Sequence, residues 1–193
     1  MNADFIQDAV IENKQFDQNA IKYKQFDTCA FVNCDFSVCD FQSVLFLDCT
    51  FTNCNFRSAK INYVSFRDVQ FNSCDFTSVN FAMTDQQIYS FHFLDCMLDY
   101  ALFYKLKLKK IKFINCSLVA ADFMETDLSE ALFDNCNLRR TVFQNTNASN
   151  LTNEQLKEIQ ETLGKPPSNK EGSLPGAFWD IKKLREYISA KYG

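Results

Sequence analysis

Nine cysteines, one histidine, five lysines between Tyr104 and Lys112 and a series of aspartates are the residues of this 193-residue chain whose types could do chemistry. Thiolates that converge on one point at roughly 2.3 Å hold zinc. Cys29, Cys34 and Cys39 are spaced by five residues, whereas Cys34, Cys54 and Cys74, and further on Cys96, Cys116 and Cys136, are spaced by twenty. His92 has the right chemistry for a general acid or base, but no recognisable motif sets a serine or cysteine nucleophile against it. The lysine run would ordinarily mark a nucleic-acid patch. Aspartates such as Asp35, Asp40, Asp75 and Asp122 would form acid/base pairs only if they met across a cleft.

The elements that place these residues follow from a repeat. Every fifth residue from Ile6 to Phe81 is Phe or Ile, and after a shift of two the series resumes at Phe93 and alternates Phe and Leu to Phe143. Two residues before each centre stands a smaller one, and all nine cysteines occupy that slot. Small-x-large every five residues fits neither a straight strand nor a helix. It fits a short extended piece plus a turn, coiled so that both apolar side chains face one axis. The twenty-residue cysteine spacing makes four units one square turn. About seven such coils at roughly 4.8 Å rise would form a rod roughly 34 Å long, filled with Phe stacks. Phe36, Phe41, Phe46, Phe51, Phe56, Phe76, Phe113, Leu118, Phe123 and Phe133 are assigned to its core, with Cys34, Cys54, Cys74, Cys116 and Cys136.

The same geometry weighs the chemistry. Successive cysteines lie on different walls and cannot converge on a metal, while those twenty apart have parallel Cβ vectors that suit a bridge poorly. They read as buried reduced thiols. Lys105, Lys107 and Lys110 stack over Glu125, Asp127 and Glu130, which reads as a cross-coil ion ladder. The aspartates recur at structural spacing and bond local backbone in turns. All four Gly and all three Pro lie after residue 163. A body without glycine has no phosphate-binding glycine loop, and it also argues against hairpin turns with φ > 0, hence against sandwiches and meanders. Catalysis is not expected, nor any cofactor or metal. Lys14, Asn19 and Lys24 stand in the small slot of the first coil, which is expected to splay and snorkel them to solvent. Between about residues 82 and 92 the register slips, with Phe91 in a small slot, and a bulge or short loop is expected.

The units Cys34-Asp35-Phe36-Ser37-Val38, Cys39-Asp40-Phe41-Gln42-Ser43, Cys54-Asn55-Phe56-Arg57-Ser58, Cys74-Asp75-Phe76-Thr77-Ser78 and Ala121-Asp122-Phe123-Met124-Glu125 resemble the pentapeptide repeat family. The resemblance covers roughly residues 6 to 150 and implies an all-β solenoid, a right-handed quadrilateral β-helix. It transfers no single function. Family members that confer quinolone resistance mimic duplex DNA, bind a type II topoisomerase such as gyrase, and pair through their C-terminal ends.

Residues 1–150 are therefore read as the β-helix and 151–193 as a helical cap or dimerisation segment. Thr152 and Gln155 form a capping box, Leu156, Ile159 and Leu163 a stripe, and Gly164 a stop. A second helix is expected from about Phe178 to Tyr192, with Trp179, Ile181, Leu184 and Ile188. Twenty Lys+Arg against twenty-four Asp+Glu give a net charge of −4, which offers no basis for direct nucleic-acid binding. No apolar run reaches the roughly 18 residues of a membrane span, and the opening Met1-Asn2-Ala3-Asp4-Phe5 has no basic start, so a cytoplasmic protein is expected. The function expected is surface recognition of a protein partner, either a topoisomerase through acidic residues such as Glu125, Asp127 and Glu130, or an unrelated protein on a scaffold or adaptor. A homodimer through the C-terminal segment is a further expectation.

Overall fold

The computed structural model describes residues 4–85 and 90–148. Across these residues the chain winds into a parallel β-solenoid with one 3₁₀ turn, Phe81–Met83, and eleven short strands. The strands are β1 (Phe5–Gln7), β2 (Val10–Glu12), β3 (Gln25–Asp27), β4 (Ala30–Val32), β5 (Leu45–Leu47) and β6 (Thr50–Thr52). They continue with β7 (Ser65–Arg67), β8 (Val69–Asn72), β9 (Phe91–Leu94), β10 (Lys112–Ile114) and β11 (Leu132–Asp134). One wall carries the order β1-β3-β5-β7 and a second β11-β10-β9-β8-β6-β4-β2, all parallel. The other two walls are held by single bridges, Asp35 to Asn55 to Asp75 on the third and Leu102 to Asp122 to Val142 on the fourth. Seven strands on the second wall make about six turns, roughly 29 Å at 4.8 Å per step. No helix among the described residues is long and apolar enough to cross a membrane.

Pairing joins each residue to the one twenty further on: Phe31 faces Phe51 and Phe51 faces Phe71. Identical side chains therefore stack along the axis. Phe31 and Phe51 lie 4.7 Å apart at 5°, Phe56 and Phe76 4.4 Å apart at 8°, and Phe103 and Phe123 4.7 Å apart at 4°. Between walls the rings meet edge to face, as Phe51 does with Phe56 at 5.3 Å and 69°. Parallel-offset and T-shaped contacts are the two arrangements an aromatic quadrupole favours. The small slot does more than leave room. The Cys54 thiol donates to the Phe31 carbonyl at 3.5 Å and that of Cys74 to Phe51 at 3.5 Å. Where threonine replaces cysteine the bond shortens: Thr126 Oγ1 donates to the Phe103 carbonyl at 2.7 Å.

The corners differ from the expectation drawn from missing glycine. Twenty-four non-glycine residues have positive φ between 51° and 65°, including Asn33, Asp48, Ala120, Lys110 and Arg140, each two positions after a centre. Turns with φ > 0 are thus the rule here, built without glycine. The backbone compensates for the left-handed conformation. The Asn33 amide donates to the Thr52 carbonyl at 2.9 Å and the Ala120 amide to Arg139 at 2.9 Å. An inter-coil bond thus accompanies the turn. Val38 is absent from this set, and the bond from the Cys39 amide to the Phe36 carbonyl, 2.9 Å, spans its corner.

At the register slip Val69 faces Phe91 and Phe71 faces Phe93, a separation of twenty-two. Phe91 is buried, 5.7 Å from Phe66 and 5.5 Å from Phe93. Residues 86–89, within this slip, lie outside the described residues. In the first coil Lys14 and Asn19 are exposed, with Lys14 Nζ 4.8 Å above the Phe16 ring, and Lys24 Nζ reaches Asp4 at 2.8 Å. The segment 151–193, including Leu156, Ile159, Leu163, Trp179, Ile181, Leu184 and Ile188, lies outside the described residues.

The corner analysis makes a paired prediction on adjacent residues. Ala120→Gly relieves a left-handed Cβ and should leave stability unchanged or raise it by up to about 1 kcal/mol. Ala121→Gly, at a buried position outside the left-handed set, should lower it by about 1–2 kcal/mol. Urea midpoints of the two variants and the parent decide; a loss of equal size in both would contradict the corner account.

Candidate recognition surface

The interior leaves no room for a site. Phe36, Phe41, Phe46, Phe51, Phe56, Phe76, Phe113, Leu118, Phe123 and Phe133 are buried, as are Cys34, Cys54, Cys74, Cys116 and Cys136. Buried hydroxyls are engaged: Thr84 donates to the Phe81 carbonyl and Thr141 to that of Leu118. Among the described residues no three His, Cys, Asp or Glu side chains come together as metal ligands. The aspartates before the centres close turns. Asp35 Oδ1 accepts from the Ser37 amide at 2.9 Å, Asp75 from Thr77 at 2.9 Å and Asp122 from Met124 at 2.8 Å. Burial pushes the thiols of Cys39 and Cys49 up to about 12 and raises that of Cys74. Recognition must therefore use the outward columns.

Glu125, Asp127 and Glu130 sit on one coil and straddle the first wall, yet each is engaged by neighbours. Lys105 Nζ lies 3.3 Å from Glu125, and the Tyr104 hydroxyl is 3.4 Å from the same carboxylate. Asp127 Oδ1 accepts from the Ser129 amide at 3.0 Å and from Asn147 Nδ2 at 2.9 Å. Glu130 takes Lys109 at 3.0 Å and Lys110 at 3.6 Å, and Lys109 foremost holds its carboxyl below the usual range. Lys107 bridges Asp127 through the backbone. Along the corner of the first and second walls Asp8, Thr28, Asp48 and Asp68 share the left-handed position, three of the four acidic.

The second wall's other corner is a polar ladder. Asn33 Nδ2 donates to Asn13 at 3.1 Å, Asn53 to Asn33 at 2.7 Å, and Asn135 to Asn115 at 2.9 Å. Directly after the slip the surface changes character. Leu94, Met97, Tyr100 and Leu102 are exposed on a single coil, Met97 at 45% and Tyr100 at 56%, and they sweep from the second wall across the third to the fourth. The residues bridged to them from adjacent coils, Asp75 and Ser117 beside Met97 and Asn80 and Asp122 beside Leu102, are polar. This arc escaped the sequence reading because the five-residue pattern constrains inward positions only. Wrapping the sequence at twenty residues per row would have placed its four members side by side.

A family model described as pentapeptide repeats matches residues 34–72, 49–85 and 121–152, with eight copies. No curated protein matches the chain. Among solved structures, a trypsin-treated form of QnrB1, a plasmid-mediated fluoroquinolone resistance protein, is 21% identical at TM-score 0.41, covering 78% of this chain and 88% of that one. Full-length QnrB1 is 20% identical at TM-score 0.40, covering 83% and 99%. HetL, a pentapeptide repeat protein involved in heterocyst differentiation regulation from the cyanobacterium Nostoc sp. strain PCC 7120, is 12% identical at TM-score 0.34, covering 76% and 83%.

The thiol environment makes its own prediction. Disulfide exchange needs an accessible thiolate, and all nine cysteines are free and buried. Ellman's reagent at about pH 8 should therefore find almost no reactive thiol in the folded chain and all nine after denaturation. Rapid stoichiometric labelling of the native protein would refute the buried assignment.

Proposed function

Because the chain belongs to the pentapeptide repeat family, we propose that it is a non-enzymatic recognition protein, a scaffold or adaptor that binds a protein partner through the outer face of its solenoid. The observation that carries this reading is the exposed arc Leu94, Met97, Tyr100 and Leu102 on one coil. Large exposed apolar side chains beside a tyrosine, interspersed with the carboxylates Asp95 and Asp99, suit a protein interface. The nine free thiols fit a reducing cytoplasm. In the same reading the coil of residues 1–150 is right-handed, and residues 151–193 form a helical cap that also joins two copies.

A second reading takes the partner to be a type II topoisomerase that receives the rod in place of duplex DNA. The corner carboxylates Asp8, Asp48 and Asp68, interrupted at one rung by Thr28, favour it by lining negative charge along one edge of the rod. The lysines that engage Glu125 and Glu130 weaken the field on the neighbouring coil.

Two measurements separate the readings. Affinity capture from the native cytoplasm should retain a partner on the parent chain and lose it on Met97→Glu/Leu102→Glu, with at least about a 30-fold fall in affinity for a hot-spot pair. A partner held equally by both chains would remove the arc from the function. In a gyrase supercoiling assay with ciprofloxacin, rescue or inhibition at micromolar protein that Asp48→Lys/Asp68→Lys abolishes would establish the topoisomerase reading. No effect at that concentration would leave the adaptor reading alone.

A further inference from the structure

The corner between the second and third walls presents one exposed residue per coil: Asn13, Asn33, Asn53, Ser73, Asp95, Asn115 and Asn135. All have φ between 51° and 56°, so their side chains leave the rod in parallel, each one coil step of about 4.8 Å from the next. The amides bond in one direction along this column. Asn33 Nδ2 donates to Asn13 Oδ1 at 3.1 Å and Asn53 to Asn33 at 2.7 Å. Beyond the slip, Asn115 donates to Asp95 Oδ1 at 2.9 Å and Asn135 to Asn115 at 2.9 Å. Each rung thus donates to the rung before it and accepts from the rung after.

Two consecutive rungs break the pattern. Ser73 is too short to continue the ladder, and Asn53 Oδ1 accepts from no described residue. Asp95 is a carboxylate, which has no hydrogen to offer toward Ser73, and its Oδ2 is engaged by no described residue. The Ser73 rung therefore has an acceptor on either side. The short side chain leaves a shallow hollow of about 420 Å³ lined by Asn53, Asn55, Arg57, Ser73 and Asp75. The other polar groups around it are already partnered. Asn55 donates to Asp35 and accepts from the Arg57 amide, Arg57 Nε lies 3.3 Å from Asp75, and Asp75 also takes the Thr77 amide. The charge left over is that of Asp95.

A group that completes this rung must donate at both ends. A primary amide would turn its oxygen toward the Asp95 carboxylate. An ammonium carries all its donors on one nitrogen and cannot bridge two rungs that lie two coil steps apart. A guanidinium holds its nitrogens about as far apart as the nitrogen and oxygen of an amide, with donors on each, and its charge matches that of Asp95. Leu94 pairs with Asn72 and Met97 bridges Asp75, so these two exposed apolar residues of the arc stand one step on, to either side of the hollow.

We propose that the Ser73 rung is a subsite for the guanidinium group of an arginine carried by the protein partner. The guanidinium donates to Asn53 Oδ1 and to the Asp95 carboxylate, while the arginine's apolar neighbours lie on Leu94 and Met97. The source of the arginine rests on the recognition reading above, whereas its hydrogen bonds follow from the ladder alone. An exposed ion pair by itself contributes little, so preference for guanidinium over ammonium is the signature of the subsite.

Two peptides, acetyl-Leu-Arg-Leu-amide and acetyl-Leu-Lys-Leu-amide, are titrated into the full chain and followed by heteronuclear NMR. The arginine peptide should saturate, bind at least about tenfold tighter than the lysine peptide, and move the side-chain amide of Asn53 and the backbone amides of Ser73 and Asp95. Ser73→Asn fills the rung, and Asp95→Asn removes the charge while keeping an acceptor for Asn115; each should bring the preference close to one. Met97→Ala should weaken both peptides and leave their ratio unchanged. Ser78→Asn, at the left-handed position of another corner, should change nothing. All four positions are on the outer face, and circular dichroism matching the parent confirms that each variant folds. A ratio near one in the parent chain, a preference that survives Ser73→Asn or Asp95→Asn, or no saturation by either peptide would overturn the subsite. The first of these, with both peptides weakened by Met97→Ala, would remove the subsite and leave the recognition reading standing.

Discussion

The backbone of each coil bonds to the next at a fixed offset of twenty residues, and the rest of the molecule depends on that register. Parallel pairing from Phe31 to Phe51 to Phe71 brings each side chain onto its counterpart, so any residue type that repeats at twenty becomes a column. A column of phenylalanine becomes a stack, a column of cysteine a line of thiols bonded to carbonyls of the coil before, and a column of asparagine a ladder of amides. Where the offset becomes twenty-two at the slip, two residues leave the column so that Phe71 still stacks on Phe93. The polar backbone is satisfied coil to coil while the apolar side chains face inward. One geometric period thus meets both the hydrogen-bonding and the burial requirements of the fold.

The slip shows how strictly the period is enforced. Two extra residues enter between the fourth wall and the second, and pairing returns at once with Phe71 opposite Phe93 and Phe93 opposite Phe113. The local adjustments are specific. The Cys96 thiol reaches back twenty-five residues to Phe71 where its counterparts reach twenty-three, and it also accepts from the Cys74 amide at 3.4 Å. The ring of Phe91 fills a slot that a small residue occupies elsewhere, and Phe66, Phe81 and Phe93 pack around it. An insertion is accommodated because packing can be rebuilt locally, whereas an unpaired parallel edge inside the rod could not be.

The inward half of each unit was legible from residue types alone, since only large apolar side chains can occupy every fifth position of a closed core. The small slot was legible in size, but its hydrogen bonds were not, because the donor role of a cysteine depends on where the previous coil's carbonyl falls. The corners were misread for a physical reason. Glycine is the usual sign of φ > 0, yet here the inter-coil bonds that accompany the turn, such as that from the Ala120 amide to Arg139, stabilise left-handed residues of many types. The ion pairs at Lys105 and Lys110 follow from adding twenty to the residue number, whereas Lys109, off that register, reaches Glu130 at the shorter distance. Long side chains are not bound to the column in which their Cα lies.

Outward positions carry no such constraint, and where they depart from the prevailing short polar pattern the departure needs a cause other than folding. Before the slip, one exposed corner column of the second wall reads Asn13, Asn33 and Asn53, whose amides bond to one another. After it, one coil turns apolar through Leu94, Met97, Tyr100 and Leu102, and the adjoining corner turns basic through Lys107 to Lys112. Exposing large apolar groups and placing five lysines between Lys105 and Lys112 each oppose stability. The parallel pairing holds on both sides of the two-residue insertion, so the outward chemistry changes from coil to coil while the inward column of Phe71, Phe93 and Phe113 continues unbroken.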